Sequence, residues 1–299
     1  MSRRPRISAA KFFPPGVATP IELADWLEIV ALTSPDGDAS AGDLERPLRR
    51  LGHSNPEELI GRVFTEIDRR VKAAGNAYPF IRGNELVSRK SKASDFLPYV
   101  FCLLLSYFKW KAKKGVAHNP WLLFEEMAHV AAREYMNAPN TSLLFGTSVR
   151  SKKVTFSDSI DSLCKRLREG NGFRAQSTHA KDDRLDVVVW KDFPDSDPSQ
   201  MVLFGQCAAG DDWKKKVSEL QPEAFGNQWL QRPFISPIVR SFYIPHRLEA
   251  GSWELWARKA GILFDRCRVA HFAQRQPAYF SNKGRYLACC KLVSPIPLN

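Results

Sequence analysis

Three short runs constrain this chain more than anything else in it: LDVVVW at 185–190, MVLFGQ at 201–206 and SFYIPH at 241–246. Each is rich in β-branched and aromatic residues and bounded by turn residues, so each reads as a strand of a mostly buried sheet. The first half has a different grammar. Three of its helix starts set a capping residue directly before proline, whose missing N–H costs nothing in a first turn. Thr19-Pro20-Ile21-Glu22 is also a capping box, with Glu22 able to reach back to the backbone N–H of Thr19. Asn55-Pro56 predicts a helix to about Ala74, and Asn119-Pro120 one to about Met136. Ser94 predicts a helix through the apolar run to Trp110, and loops are expected at 34–43 and 75–84.

Residues 19–114 therefore read as all-helical, and an α/β layer structure is expected after residue 118. A helix is predicted from Asp212 to Leu220, between the second and third strands, and a long amphipathic one from Trp253 to about Phe272. Cys289 and Cys290 alternate faces of a last strand.

Charge narrows the partners. Lys and Arg number 44 against 32 Asp and Glu, a net charge of +12 with a pI near 9.5, which favours polyanions such as nucleic acid. The six cysteines show no CxxC pair and no regular spacing, so no zinc ribbon or disulfide framework is expected, and a reducing cytoplasm is the natural home. The most apolar stretch, YVFCLLLSYF at 99–108, is about half the ~20 residues needed to span a bilayer. It reads as a buried helix, and no membrane association is expected. The N-terminus lacks the apolar run of a signal peptide. No Walker A, GxGxxG or GxSxG pattern occurs, so nucleotide hydrolysis and serine-esterase chemistry are not supported. The histidines are scattered, and His246 and His179 read as structural or surface residues.

The chemistry gathers around one carboxylate. Asp186 sits inside an otherwise apolar strand, where it costs several kcal/mol unless a metal ion or a cation compensates it. One strand later Gln206 ends the run FGQCAAG, in which Gly205 and Gly210 leave room for a ligand to approach the backbone. By alternation Gln206 and Ala208 share one face while Cys207 points to the other. This arrangement resembles the PD-(D/E)XK nuclease superfamily, in which a strand Asp is followed one strand later by Glu or Gln, any residue, then Lys. The helix LFEEMAHVAAREYM at 123–136 resembles the superfamily's helix before the sheet, with Phe124-Glu125 in place of its Phe-Glu pair.

The expected fold class is α/β: the helix signals give a basic, all-helical N-terminal domain over 1–116, and the resemblance, which covers roughly residues 118–250, implies a restriction-endonuclease-like mixed sheet core flanked by helices in a domain over 117–299. The resemblance also implies Asp186 and Gln206 as ligands of Mg²⁺ or Mn²⁺, with Glu125 a further ligand or a water-orienting group. At ~100° per residue Phe124, Ala128, Ala131 and Tyr135 form one apolar stripe; Glu125 falls at its edge beside Trp121, and Glu126 points nearly opposite. Glu134 lies on the other edge. The sequence departs from the pattern at the lysine, because Ala208 stands two residues after Gln206.

In some relatives of that superfamily the next helix supplies the lysine, and here DDWKKKVSEL offers three candidates. With Asp211 or Asp212 as cap, Trp213, Val217 and Leu220 form the core stripe, and Lys216 lies on that side while Lys214 and Lys215 point away. Lys214 and Lys215 are expected to contact nucleic acid. So are Arg266 and Arg268, within a segment from 258 to 291 that holds eight basic residues against one acidic, Asp265. YFKWKAKKG at 107–115 also mixes lysine with aromatics, although a lysine-rich helix end is equally what the helix dipole favours. The function these readings favour is Mg²⁺-dependent hydrolysis of DNA; the resemblance alone implies a role in restriction, repair or anti-phage defence. Its chief rival is a catalytically inactive nuclease-like subunit that binds nucleic acid or serves as a scaffold, with protein partners in a multi-subunit defence complex, and a second rival is cleavage of RNA.

Overall fold

Thr19 opens the first helix, α1 (Pro20–Thr33), in the way its neighbours dictate. Its hydroxyl accepts from the Glu22 N–H at 3.2 Å, and the Glu22 carboxylate accepts from the Thr19 N–H at 2.9 Å. The computed structural model describes residues 9–16, 18–110, 118–146, 154–174, 183–276 and 283–294. The chain divides into two units, one made of residues 1–120, 246–249 and 266–299, the other of 121–245 and 250–265.

After α1 the first unit continues with β1 (Asp38–Ser40), α2 (Ala41–Arg50), α3 (Pro56–Ala74), β2 (Phe80–Arg82), β3 (Leu86–Arg89) and α4 (Leu97–Tyr107). α3 runs from Pro56 to Ala74 as its start signal and following Gly75 predict. The expectation of an all-helical segment fails, because β1, β3 and β2 form an antiparallel sheet with Ala39 opposite Val87 and Ile81 opposite Ser88. These strands of three or four residues are too short for alternation to show, and only pairing reveals them. Every residue of α4 from Leu97 to Ser106 is buried, so the apolar run is a core helix. No helix among the described residues is long and apolar enough to cross a membrane.

The second unit holds α5 (Pro120–Met136), β4 (Ser142–Leu144), α6 (Phe156–Leu167), β5 (Asn171–Phe173), β6 (Val187–Lys191), β7 (Met201–Cys207), α7 (Trp213–Lys216), α8 (Pro222–Trp229), β8 (Leu230–Arg232), β9 (Ile238–Tyr243), α9 (Trp253–Ala260) and β10 (Ile262–Phe264). Five strands form a mixed sheet in the order β10-β9-β7-β6-β4. β7 runs antiparallel to β6, with Val187 opposite Gly205, and parallel to β9, with Cys207 opposite Tyr243. One face carries Val188, Trp190, Val202 and Phe204 into a core with Leu163 and Leu167 of α6 and Phe225 and Trp229 of α8. The other face carries Tyr243, stacked on Phe264, whose ring meets Tyr135 of α5 edge-on. The sheet is therefore covered on both faces, which is why its strands read as near-continuous apolar runs.

Glu169, 1% exposed, staples two of these strands at their starts. It accepts from the backbone N–H groups of Ser199, Gln200, Ile235 and Ser236, ahead of β7 and β9. Burial alone would raise its pKa, but these donors and the Ser236 hydroxyl outweigh it and hold the carboxyl below its usual range.

The predicted helix from Trp253 to Phe272 is broken into α9, β10 and α10 (Arg266–Ala273). Gly261 causes the break: its φ is +75°, and a Cβ there would collide with the Arg240 carbonyl oxygen, so β10 turns in beside β9. α10 and α11 (Lys283–Val293) group with the first unit. Cys289 and Cys290 lie in α11, not on a strand.

What recruits the C-terminal segment to the first unit is a buried ionic cluster. Arg70, fully buried, pairs with Asp25 at 2.7 Å, Glu28 at 2.9 Å and Glu66 at 3.0 Å. Arg266, also fully buried, grips Asp25 through two nitrogens at 2.6 and 2.9 Å and reaches the Ser106 hydroxyl, while Arg247 pairs with Glu66 at 3.0 Å. The Tyr78 and Tyr99 hydroxyls donate to Glu28. Burial pushes the Asp25 carboxyl up, but the charges of Arg266 and Arg70 overcome it and lower its pKa; for Glu28 burial prevails and raises it. Arg266 is thus a structural group with no surface to offer nucleic acid, contrary to the sequence expectation. Arg266→Ala is expected to cost about 3–5 kcal/mol, because it strips a partner from a buried charge; urea unfolding measures it, and a loss under ~1 kcal/mol would contradict the assigned role.

His129 of α5 gives the second unit a pH signature. Its pKa is lowered to about 4, first by burial and then by the charges of Arg133 and Arg166. The ring is folded in neutral, so its contribution is complete above the unfolded pKa of ~6.5 and is lost as pH falls through about 4. Between those values wild type should lose up to about 3 kcal/mol that His129→Gln does not lose; parallel pH–stability curves for the two proteins would refute this.

Candidate active site

Strand alternation decides which residues of β7 can meet α5. Gln206 shares the face of Val202 and Phe204, and its side chain is used there: its amide donates to Glu219 at 3.2 Å and accepts from the Leu220 N–H at 3.3 Å. Glu219 is also held by Arg184 at 3.1 Å. Gln206 is 4% exposed and serves as a bridge to the segment after α7, which removes it from the expected ligand set.

Cys207 projects to the α5 side. There a cavity of about 260 Å³ is lined by Trp121, Phe124 and Glu125 of α5, by Cys207 through Gly210, and by Asp212 and Lys216. Of the expected set Asp186, Gln206, Lys216 and Glu125, Glu125 and Lys216 stand on this wall. Glu126 is half-buried like Glu125 but does not line the cavity. The strand ends at Cys207, so Ala208 leaves the alternation and joins Cys207 on the lining.

Asp186 is the residue just before β6, and it still belongs to the ladder: its N–H donates to Gly205 O and its carbonyl accepts from Phe145 N. Its carboxylate accepts from the Cys207 N–H at 2.7 Å, a charge-assisted bond that offsets the cost of placing it at the sheet. Burial raises the Cys207 thiol pKa well above its ordinary value, and the negative charges of Asp186 and Glu125 raise it further. Two carboxylates from different elements thus share one electrostatic neighbourhood around Cys207. Among the described residues no group of three or more His, Cys, Asp and Glu side chains has a metal-holding arrangement.

α7 is shorter than the predicted helix, although Trp213, Val217 and Leu220 are buried as its core stripe requires. Lys214 and Lys215 are exposed. Lys216 is 39% exposed, and its ammonium lies 3.0 Å from the Asp212 carboxylate, which forgoes capping the helix to hold it. Gly205 does not leave room for a ligand: a Cβ there would lie 2.6 Å from the Tyr243 ring, which fills that space. Gly210 does border the cavity.

Arg268 is exposed on α10, in the other unit. Lys111, Lys113 and Lys114 of the 107–115 segment, and His179, lie outside the described residues. All six cysteines are free thiols. No protein-family model, curated protein or solved structure matches the chain.

The residue missed by sequence reasoning is Cys207, which alternation places on the face opposite Gln206 without assigning it a role. Only the position of α5 shows which face holds the cavity. Because Asp186 and Glu125 both oppose its ionisation, Asp186→Asn should lower the Cys207 pKa and speed its alkylation above pH ~8. Mass-spectrometric alkylation rates against pH test this, and an unchanged Cys207 profile would place Asp186 elsewhere.

Proposed function

We propose that this chain is a metal-dependent nuclease that hydrolyses phosphodiester bonds in DNA, with Glu125, Asp186 and Lys216 as its working groups. The reading rests above all on one observation, that Glu125 and Lys216 meet on the wall of one cavity beside Cys207, whose N–H holds Asp186. The resemblance of the strand Asp and the helix Phe-Glu pair to PD-(D/E)XK nucleases adds to it, as does the net charge of +12.

The donor set suits a hard cation. Mg²⁺ keeps several waters and needs only one or two protein carboxylates, so Asp186 and Glu125 suffice without Gln206. When bound there it would supply Lewis-acid activation of the phosphate and of a water. Glu125, half-buried, is suited to orient that water, and the Lys216 ammonium to stabilise negative charge developing on the phosphate. Asp212 keeps that ammonium in place.

A second reading, an inactive nuclease-like nucleic-acid-binding or scaffold subunit, is favoured by Ala208 in place of the strand lysine and by the engagement of Gln206 with Glu219. Cleavage of plasmid, linear duplex and single-stranded DNA with Mg²⁺, Mn²⁺ or EDTA separates the two. Asp186→Ala should abolish metal-dependent cleavage, and Lys216→Ala should slow turnover on the order of 100-fold or more with little change in binding. Wild-type protein that cuts none of these substrates with either metal would favour the scaffold.

A further inference from the structure

The same short helix that carries Lys216 carries Lys214, and Lys214 is built into an aromatic platform. Trp213 meets Trp256 of α9 edge-on, with ring centroids 5.0 Å apart. The Lys214 ammonium lies 5.7 Å from the centre of the Trp256 ring and the Lys259 ammonium 5.0 Å from it. One indole thus gathers two exposed lysines from separate elements, against their mutual repulsion.

The nearby carboxylates do not neutralise them. Asp212 is taken by Lys216 and Glu254 by Arg258. Among the described residues, no carboxylate pairs with Lys214, Lys215 or Lys259. A ledge of uncompensated, pre-positioned ammonium groups therefore adjoins the cavity through α7.

We propose that Lys214, Lys259 and Trp256 form a phosphate-binding ledge that receives the nucleic-acid backbone next to the Glu125–Lys216 cavity. The inference rests on the nuclease reading for the role of that cavity. Trp256 is a positioning residue: its ring is already engaged by Trp213 and both ammonium groups, so the ledge offers N–H donors to phosphate oxygens and not a free face for base stacking. Binding through it is therefore independent of base sequence.

The test is binding without catalysis: anisotropy of a labelled 20-base-pair duplex with the full chain in EDTA, from about 50 to 200 mM salt. Lys214→Ala/Lys259→Ala should bind about tenfold or more weakly at low salt, and its log–log salt slope should fall by about 1.8, two phosphate contacts' worth. Trp256→Leu should lower the slope with no change in charge, and Trp256→Phe should restore it. Lys165→Ala/Lys191→Ala removes equal charge from the same unit and should bind like wild type. A double variant that binds like wild type, or no worse than the control pair, overturns the ledge. An equal loss towards polyglutamate overturns the nucleic-acid assignment. Failure of the nuclease reading registers separately, as wild-type protein that binds the duplex but never cuts it.

Discussion

Two arginines with no exposed surface, Arg70 and Arg266, decide how the ends of this chain are used. Burying a guanidinium costs several kcal/mol unless carboxylates surround it, and Asp25, Glu28 and Glu66 do so. Counting Arg247, three buried arginines face three buried carboxylates, so the cluster is balanced only when residues 246–249 and α10 return to the N-terminal unit. The chain must therefore leave and re-enter its second unit, and no single cut separates the two.

Within the second unit the corresponding constraint is the pairing of β7. Parallel to β9 and antiparallel to β6, it is central, and its alternation leaves each residue one face. Gln206 falls on the side of α6 and α8 and is consumed in holding Glu219 and the Leu220 N–H. Cys207 falls on the side of α5 and brings its N–H to Asp186. The candidate site is thus a strand end: ladder geometry runs out at Cys207, and Ala208, Ala209 and Gly210 turn to line the cavity. At that end Glu125 and Lys216 line the cavity with Cys207, whose N–H binds the Asp186 carboxylate.

Much of this was legible from local signals. The capping box at Thr19, the Pro-initiated helices α3 and α5, and the first two apolar runs lie where expected because caps and short-range patterning act within a few residues, whereas the third strand, β9, ends at Tyr243, midway through the run SFYIPH. Glu125 and Lys216 were separated from Glu126, Lys214 and Lys215 by helical angle alone, and they are the ones that border the cavity. The three-stranded sheet, the break at Gly261 and the burial of Arg266 were not legible, since each depends on a distant partner: Val87 for Ala39, Arg240 for Gly261, Asp25 for Arg266.

The sequence by itself determined where most elements begin, which side of α5 and α7 is apolar, and that a carboxylate, Asp186, which the structure places just ahead of β6, lies within an apolar run. Those follow from dihedral preferences, caps and periodicity, all read over a dozen residues or fewer. Tertiary structure alone decided that the face of Cys207 and not that of Gln206 opens on the cavity, and that a basic C-terminal segment spends Arg266 inside a core. The reason is physical: alternation defines two faces but not which helix covers each, and a charge shows as burial only once its counter-charges, here up to 241 residues away, have been brought around it.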